Sequence, residues 1–477
     1  MQKNNLVIYE NSIVVKSISS FIGSKLFPIV LAVVILLCYY LGWDIVMIWF
    51  VAICSVGILL TCRDATPAFA IFLFINIIIS LKNSPSVLGN ESDYFMRPEI
   101  YGQVIAAISL CVIGLVARLT YNIYTKTFKP SPMFFGICAL CAAFLLNGVL
   151  FEGYEPLDTV FGLFLTAMYI LIFILISSNI TPTKGTFEKI AFYCCVLFVV
   201  LAIELIVAYT TYDDLFVNGF VDRVKLFFGW GMYNTIGMLF CVCIPAWFYL
   251  AITQKYGWIY TVLGILNITI TFFTFSRQSM LGAAVIGLVC VIWLLICRKG
   301  RDRLNNIVIL VTAMVCVGNV ILAKWDKLAV YIQSIIDNLN DGGNRIELWK
   351  RAIEDFLKAP VFGVGFYYLK DLDVGFVGLD IIPKMYHNTI LQILGACGIV
   401  GLAAYLLHRV QTVISLLKNI NLERLYVAFT GGALLFVSLF DNHMFYLFPT
   451  LLYVGLVGLL KASENKKFKC QEKRNGK

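Results

Sequence analysis

Arg223, Lys225, Arg277 and His387 lie far apart in this 477-residue sequence, yet each stands at the edge of a long apolar run. A guanidinium offers a rigid fork of donors that matches the oxygens of a pyrophosphate. An imidazole can take a proton from a hydroxyl near neutral pH. Two arginines and a histidine at one place would therefore suit displacement of a pyrophosphate by an alcohol.

Each residue also has a plainer reading. Only Ser276-Arg277-Gln278 separates two apolar runs. An arginine at the bilayer centre costs ~2.5–3.5 kcal/mol, so Arg277 belongs at an outer edge, in a wet cavity or on an anion. Snorkelling at a helix end would also satisfy it. Arg223 and Lys225 precede an apolar run that opens at Gly229. Cations at a helix N-terminus oppose the macrodipole, which an anion between them would relieve. Asp213, Asp214 and Asp222 are alternative loop partners. His387 follows Tyr386 and precedes Asn388 at the start of another run, and such a histidine can be a base, a group that positions the acceptor, or simply a polar terminus.

Other signals are weaker. Asp371-Leu372-Asp373 has the form of a metal-binding pair, but two acids in a polar loop are common, and no metal site is expected. Glu204 inside an apolar run could mark an ion path or be paired structurally. Gly363-Val364-Gly365 lacks the rest of a dinucleotide fingerprint. Nothing points to nucleic acid.

The elements that must position these groups are membrane spans. Hydrophobic residues make up 60% of the chain and charged residues 14%, against about 25% charged in soluble proteins. The apolar surplus needs lipid to face. Windows of about 20 apolar residues predict an all-α polytopic protein of fourteen spans: 27–43, 44–62, 67–81, 100–121, 132–151, 157–178, 188–212, 229–252, 256–275, 278–297, 304–323, 387–407, 424–440 and 443–461. With the N-terminus in the cytoplasm, the inside loops collect Arg63, Arg118, Lys126, Lys129, Lys184, Lys189, Lys255, Arg298, Lys299, Arg301, Arg303, Arg409, Lys418, Arg424 and the basic tail. The outside loops are poor in lysine and arginine. That is the positive-inside bias, and it places both termini in the cytoplasm. His387 and His443 fall at the outer face and His408 inside. No cleavable signal peptide is evident. The fifteen cysteines fall mostly within the spans and read as small apolar packing residues.

The chain reads as one integral membrane domain, 1–477, with a large extracytoplasmic loop at 324–386. Within that loop, Ile346, Trp349, Ile353, Phe356 and Leu357 recur at helical spacing opposite Glu347, Lys350, Arg351, Glu354 and Asp355. This predicts an amphipathic helix from Asn344 to Lys358, stopped by Pro360 and Gly363, lying on the membrane surface or capping the bundle.

Three segments resemble the O-antigen ligase and polymerase superfamily. The first is Arg223 with Gly229, Asn234 and Gly237. The second is Phe275-Ser276-Arg277 with Leu281 and Gly282. The third runs from Arg345-Ile346-Glu347-Leu348-Trp349 through Pro360, Gly363 and Gly365 to His387-Asn388, Leu391, Gln392, Gly398 and Gly401. Together they cover residues 220–402. The resemblance implies transfer of a glycan from undecaprenyl pyrophosphate outside the bacterial cytoplasmic membrane, with inversion at the sugar carbon and without metal, nucleotide sugar or other cofactor. It implies that Arg223 and Arg277 hold the pyrophosphate and that His387 activates the acceptor. Lys225, Arg345, Asn388, Tyr386 and Asn234 are expected to contact substrate. The implied partners are the lipid-linked oligosaccharide, the bilayer, and chain-length regulator and flippase proteins. Fourteen spans exceed the number usual for the ligases, so polymerase is the expected activity. Ligation to lipid A core and transport of the lipid-linked repeat are the alternatives.

Overall fold

The structure, a computed structural model, describes residues 13–80, 98–125, 127–211, 215–217, 220–221, 226–228, 231–326, 329–330, 333, 343–369, 381–383, 385–418 and 420–475. Its helices are α1 (Ile13–Ile22), α2 (Leu26–Tyr40), α3 (Asp44–Thr61), α4 (Ala68–Ser80), α5 (Pro98–Tyr124), α6 (Pro132–Leu145), α7 (Pro156–Asn179), α8 (Lys184–Thr211), α9 (Tyr233–Thr253), α10 (Gly257–Phe272), α11 (Arg277–Cys297), α12 (Gly300–Ala323), α13 (Gly343–Lys358), α14 (Thr389–Leu417), α15 (Leu422–Val437) and α16 (Leu447–Asn475). Three two-stranded hairpins decorate the bundle: β1 (Phe216–Val217) with β2 (Phe220–Val221), β3 (Phe227–Phe228) with β4 (Gly231–Met232), and β5 (Tyr367–Leu369) with β6 (Ile381–Pro383).

The fourteen predicted spans each coincide with one helix, α2 to α12 and α14 to α16. Nine of these, among the described residues, are long and apolar enough to cross a membrane, or ten if α1 and α2, bent by 80°, form one span. The protein is an integral membrane protein built of helices. α9 is its axis: 89% of its apolar window is buried, and it packs on α8, α10, α11 and α15. α12 is the opposite case, with 6% buried.

Side-chain caps set a few of the helix starts. Ser131 accepts a hydrogen bond from Phe134 N–H ahead of Pro132, and Asn421 caps α15 through Arg424 N–H, as short polar side chains do. The last span, expected at 443–461, runs on as α16 to Asn475, and two further spans differ from expectation in ways that bear on the site. The 132–151 segment stops being helical at Leu145, because Gly148 turns the chain at φ 68° and gives its N–H to Phe362 O. The 387–407 segment runs on to Leu417, carrying His408 and Arg409 inside the helix instead of in a loop. Arg409 lies over the rings of Tyr405 and Tyr453, 4.5 and 4.2 Å from their centroids, and cation–π attraction makes that interior placement tolerable. His408 is buried against the Tyr453 hydroxyl at 2.8 Å.

The amphipathic helix forms as α13. Ala352 and Asp355 are buried on its α14-facing side, while Ile346, Ile353 and Leu357 stay exposed. An apolar stripe left uncovered at one end of a bundle suits the membrane interface.

Candidate functional site

Two strained turns carry the candidate residues. Phe275 (φ 52°) and His387 (φ 48°) are the described non-glycine residues with positive φ. That conformation costs of order 1–3 kcal/mol and survives only where its surroundings hold it.

The first turn joins α10 to α11. After Phe275, the Ser276 hydroxyl donates to Asn234 Oδ1 on α9 at 2.8 Å and meets Ser279 Oγ at 2.9 Å. Gly237 lets α9 and α11 approach this closely, since a Cβ there would stand 2.3 Å from Ser279 Oγ. Arg277 is thus the first residue of α11, half-buried, at a helix end already rich in free N–H groups. Gln278 is buried behind it, with its Nε2 3.1 Å from His443 Nε2.

The second turn joins the long loop to α14. Asn388 caps that helix, its Oδ1 accepting from Ile390 and Leu391 N–H while its Nδ2 donates to Leu439 O. Thr389 N–H donates to Ser438 O, and Asn388 N–H to Asn442 Oδ1 at 3.1 Å. Asn442 Nδ2 and Tyr386 N–H both donate to Gln392 Oε1, at 2.8 and 3.0 Å. Residues 386–392 are thereby stitched to residues 438–442. The result is a contact between His387 Nδ1 and Asp441 Oδ1 at 2.9 Å.

Asp441 is buried and also accepts from Asn442 N–H at 2.8 Å. Burial pushes its carboxyl upward, but the imidazoles of His443 and His387 and the Asn442 N–H outweigh that and hold it below the ordinary carboxylate range. An ionised carboxylate can only accept, so His387 donates from Nδ1, and Nε2 is the ring nitrogen turned away from Asp441. The His387 side chain is 34% exposed. The pair can therefore accept a proton from an incoming hydroxyl.

The outer helix braces this turn. The Tyr386 hydroxyl donates to Asp355 Oδ2 on α13 at 2.8 Å, and Lys358 pairs with Asp355 Oδ1 at 2.8 Å. Arg345, also on α13, lies within electrostatic range of His443, as does His387. Beyond α13, residues 360–365 dock into a break in α14. Gly398 leaves the helical conformation at φ 62°, ψ −159°. The backbone groups freed there are taken up by the loop: Ile399 and Val400 N–H donate to Pro360 and Val361 O, and Val364 and Gly365 N–H donate to Gly395 and Ala396 O. A Cβ on Gly398 would lie 2.4 Å from Val361 O, and one on Gly363 2.3 Å from the Ala396 carbonyl carbon. Asp158 of α7 completes the seam, accepting from Phe366 and Tyr367 N–H.

The structure thus gathers Asn234, Arg277, Arg345, Tyr386, His387 and Asn388 at one end of the bundle. Arg223, Lys225, Asp371 and Asp373 lie outside the described residues. Glu204 stands apart, accepting from the Tyr40 hydroxyl at 3.1 Å. Sequence reasoning missed Asp441, the acidic partner of His387. Its signal was the polar trio Asp441-Asn442-His443 between two apolar runs.

Comparison with curated proteins returns no match. Residues 261–406 match the family model for O-antigen ligase, a stretch that runs from α10 through Arg277, α13 and His387 into α14. That segment, less than a third of the chain, is what this protein shares with the O-antigen ligase family.

Proposed function

We propose that this protein polymerises lipid-linked oligosaccharide repeats at the outer face of the bacterial cytoplasmic membrane, drawing each glycan from a polyprenyl pyrophosphate. The observation that carries the reading is the His387–Asp441 hydrogen bond, joined through the Gln278–His443 contact to the turn that bears Arg277. The family match supports glycan transfer by a membrane glycosyltransferase-like enzyme acting on a lipid-linked substrate.

In the step proposed, the acceptor oxygen attacks the anomeric carbon from the face opposite the pyrophosphate. The new glycosidic C–O bond forms as the old one breaks. The bonding pair leaves on the polyprenyl pyrophosphate, and the acceptor proton passes to His387 Nε2. Asp441 stabilises the imidazolium that results. Arg277, with Arg223, meets the charge that grows on the leaving pyrophosphate, where fixed donors act most strongly. The charge bias of the loops supports cytoplasmic termini and an outward site. Polymerase is favoured over ligase by the fourteen helical segments; the match to the O-antigen ligase family favours ligase, the second reading.

The test is glycan chain length by gel, in a deletion strain complemented with wild type, Arg277→Ala or Arg223→Ala. Single lipid-linked repeats in both variants, with normal insertion, support the polymerase. Full-length polymer that accumulates on the lipid carrier and is not passed to lipid A core would turn the reading to ligase. Long transferred chains in both variants would remove it.

A further inference from the structure

Gln278 and His443 are buried and take no part in the step just described. We infer that they form a strut that sets the separation between Arg277 and the His387–Asp441 pair, which makes both positioning residues; this rests on the transfer reading above.

Their places in the chain carry the argument. Gln278 follows Arg277 directly in the first turn of α11. His443 follows Asp441 by two residues and opens the 3-10 turn His443–Phe445. The 3.1 Å contact between Gln278 Nε2 and His443 Nε2 therefore ties the backbone under the arginine to the backbone under the carboxylate. With the amide nitrogen as donor, His443 accepts at Nε2.

The pair is not there for stability. Among the described residues, Gln278 Oε1 and His443 Nδ1 are both buried with no hydrogen-bond partner. Unmatched buried polar atoms carry their desolvation cost uncompensated, and apolar side chains of the same shape remove it. What the polar contact supplies is a directional link of fixed length. Two groups that must meet one substrate from different helices need that link, because a misplacement of one ångström is enough to slow a reaction substantially.

The experiment uses the full-length protein in nanodiscs with a lipid-pyrophosphate-linked repeat as donor, reading kcat, donor KM and the thermal midpoint. Gln278→Met and His443→Phe keep the volume and remove the link. Each is expected to lower kcat about 10- to 100-fold, with KM and thermal midpoint held or the midpoint raised. The double variant should be no slower than the slower single, as for residues acting as one unit. His443→Gln restores an acceptor near the Nε2 position and should recover most of the lost turnover. Full turnover in both singles, additive losses, or losses that track a falling midpoint would overturn the strut. Arg277→Ala and His387→Ala run alongside: if these keep full turnover, the transfer reading itself has failed, whereas if only they lose it, the strut alone is wrong.

Discussion

Arginines are used in opposite ways at the two ends of this bundle. At the end away from His387 they finish helices. Arg118 donates to Leu59 O and Arg63 O at the close of α3, Arg298 to Ala251 O and Gln254 O at the close of α9, and Arg424 to Ser415 O near the close of α14. Each cation sits on the negative pole of a helix and fills carbonyls that would otherwise lack partners. At the other end Arg277 occupies a helix N-terminus, the positive pole, where a cation is disfavoured and an anion welcome. The same side chain is a structural cap in one place and, in the function proposed above, an anion contact in the other. What separates the two is the carbonyl end of a neighbouring helix, which Arg118, Arg298 and Arg424 each reach.

Substitutions can sharpen that contrast. His387→Ala should have the largest effect, cutting transfer by about 10²- to 10⁴-fold, the range for a lost general base, while the protein still inserts. Asp441→Asn should cost on the order of 10²-fold, since it keeps the shape and discards the ionised acceptor that fixes the tautomer. Arg277→Lys keeps the charge and loses the fork; a drop of about tenfold or more in turnover is expected. Arg298→Ala should act in the other direction: specific activity unchanged, with stability lowered by about 1–3 kcal/mol in a denaturation series. Equal losses of activity from Arg298→Ala and Arg277→Lys would break the distinction between the ends.

The smallest effect is on acid stability. Asp441 is held below its ordinary range in the folded protein, so its contribution is complete above the unfolded value of about pH 4. It is lost as pH falls through the lower folded value. Wild type should therefore lose more stability than Asp441→Asn on acidification below about pH 4, measured by thermal midpoint against pH. Parallel curves would show that Asp441 is not held ionised by its neighbours.

What the sequence revealed depended on contrast. In a text of apolar letters Arg277 and His387 stood out, and so did the helical rhythm from Ile346 to Leu357. The helices were legible because lipid imposes a length. Asp441 was not, because a short polar turn between two apolar runs is ordinary, and nothing in the letters says that it faces a residue 54 positions earlier. The extension of α14 through Arg409 was hidden for a similar reason: a charge ends a hydropathy window, while two tyrosine rings can keep it in the helix. Gly398 read as one more small residue in a span, although it breaks the helix.

That break has a consequence for how the protein is made. Among the described residues, the backbone groups exposed at Gly398 find their partners on residues 360–365, and that seam is closed by Asp158 and Gly148 from the first third of the chain. In a nascent chain leaving the insertion machinery, the helix behind His387 cannot settle until the α6–α7 hairpin is already in place beside it. The turn at His387 is therefore completed by parts of the chain outside the family-matched segment 261–406, which by itself lacks Gly148, Asp158 and Asp441.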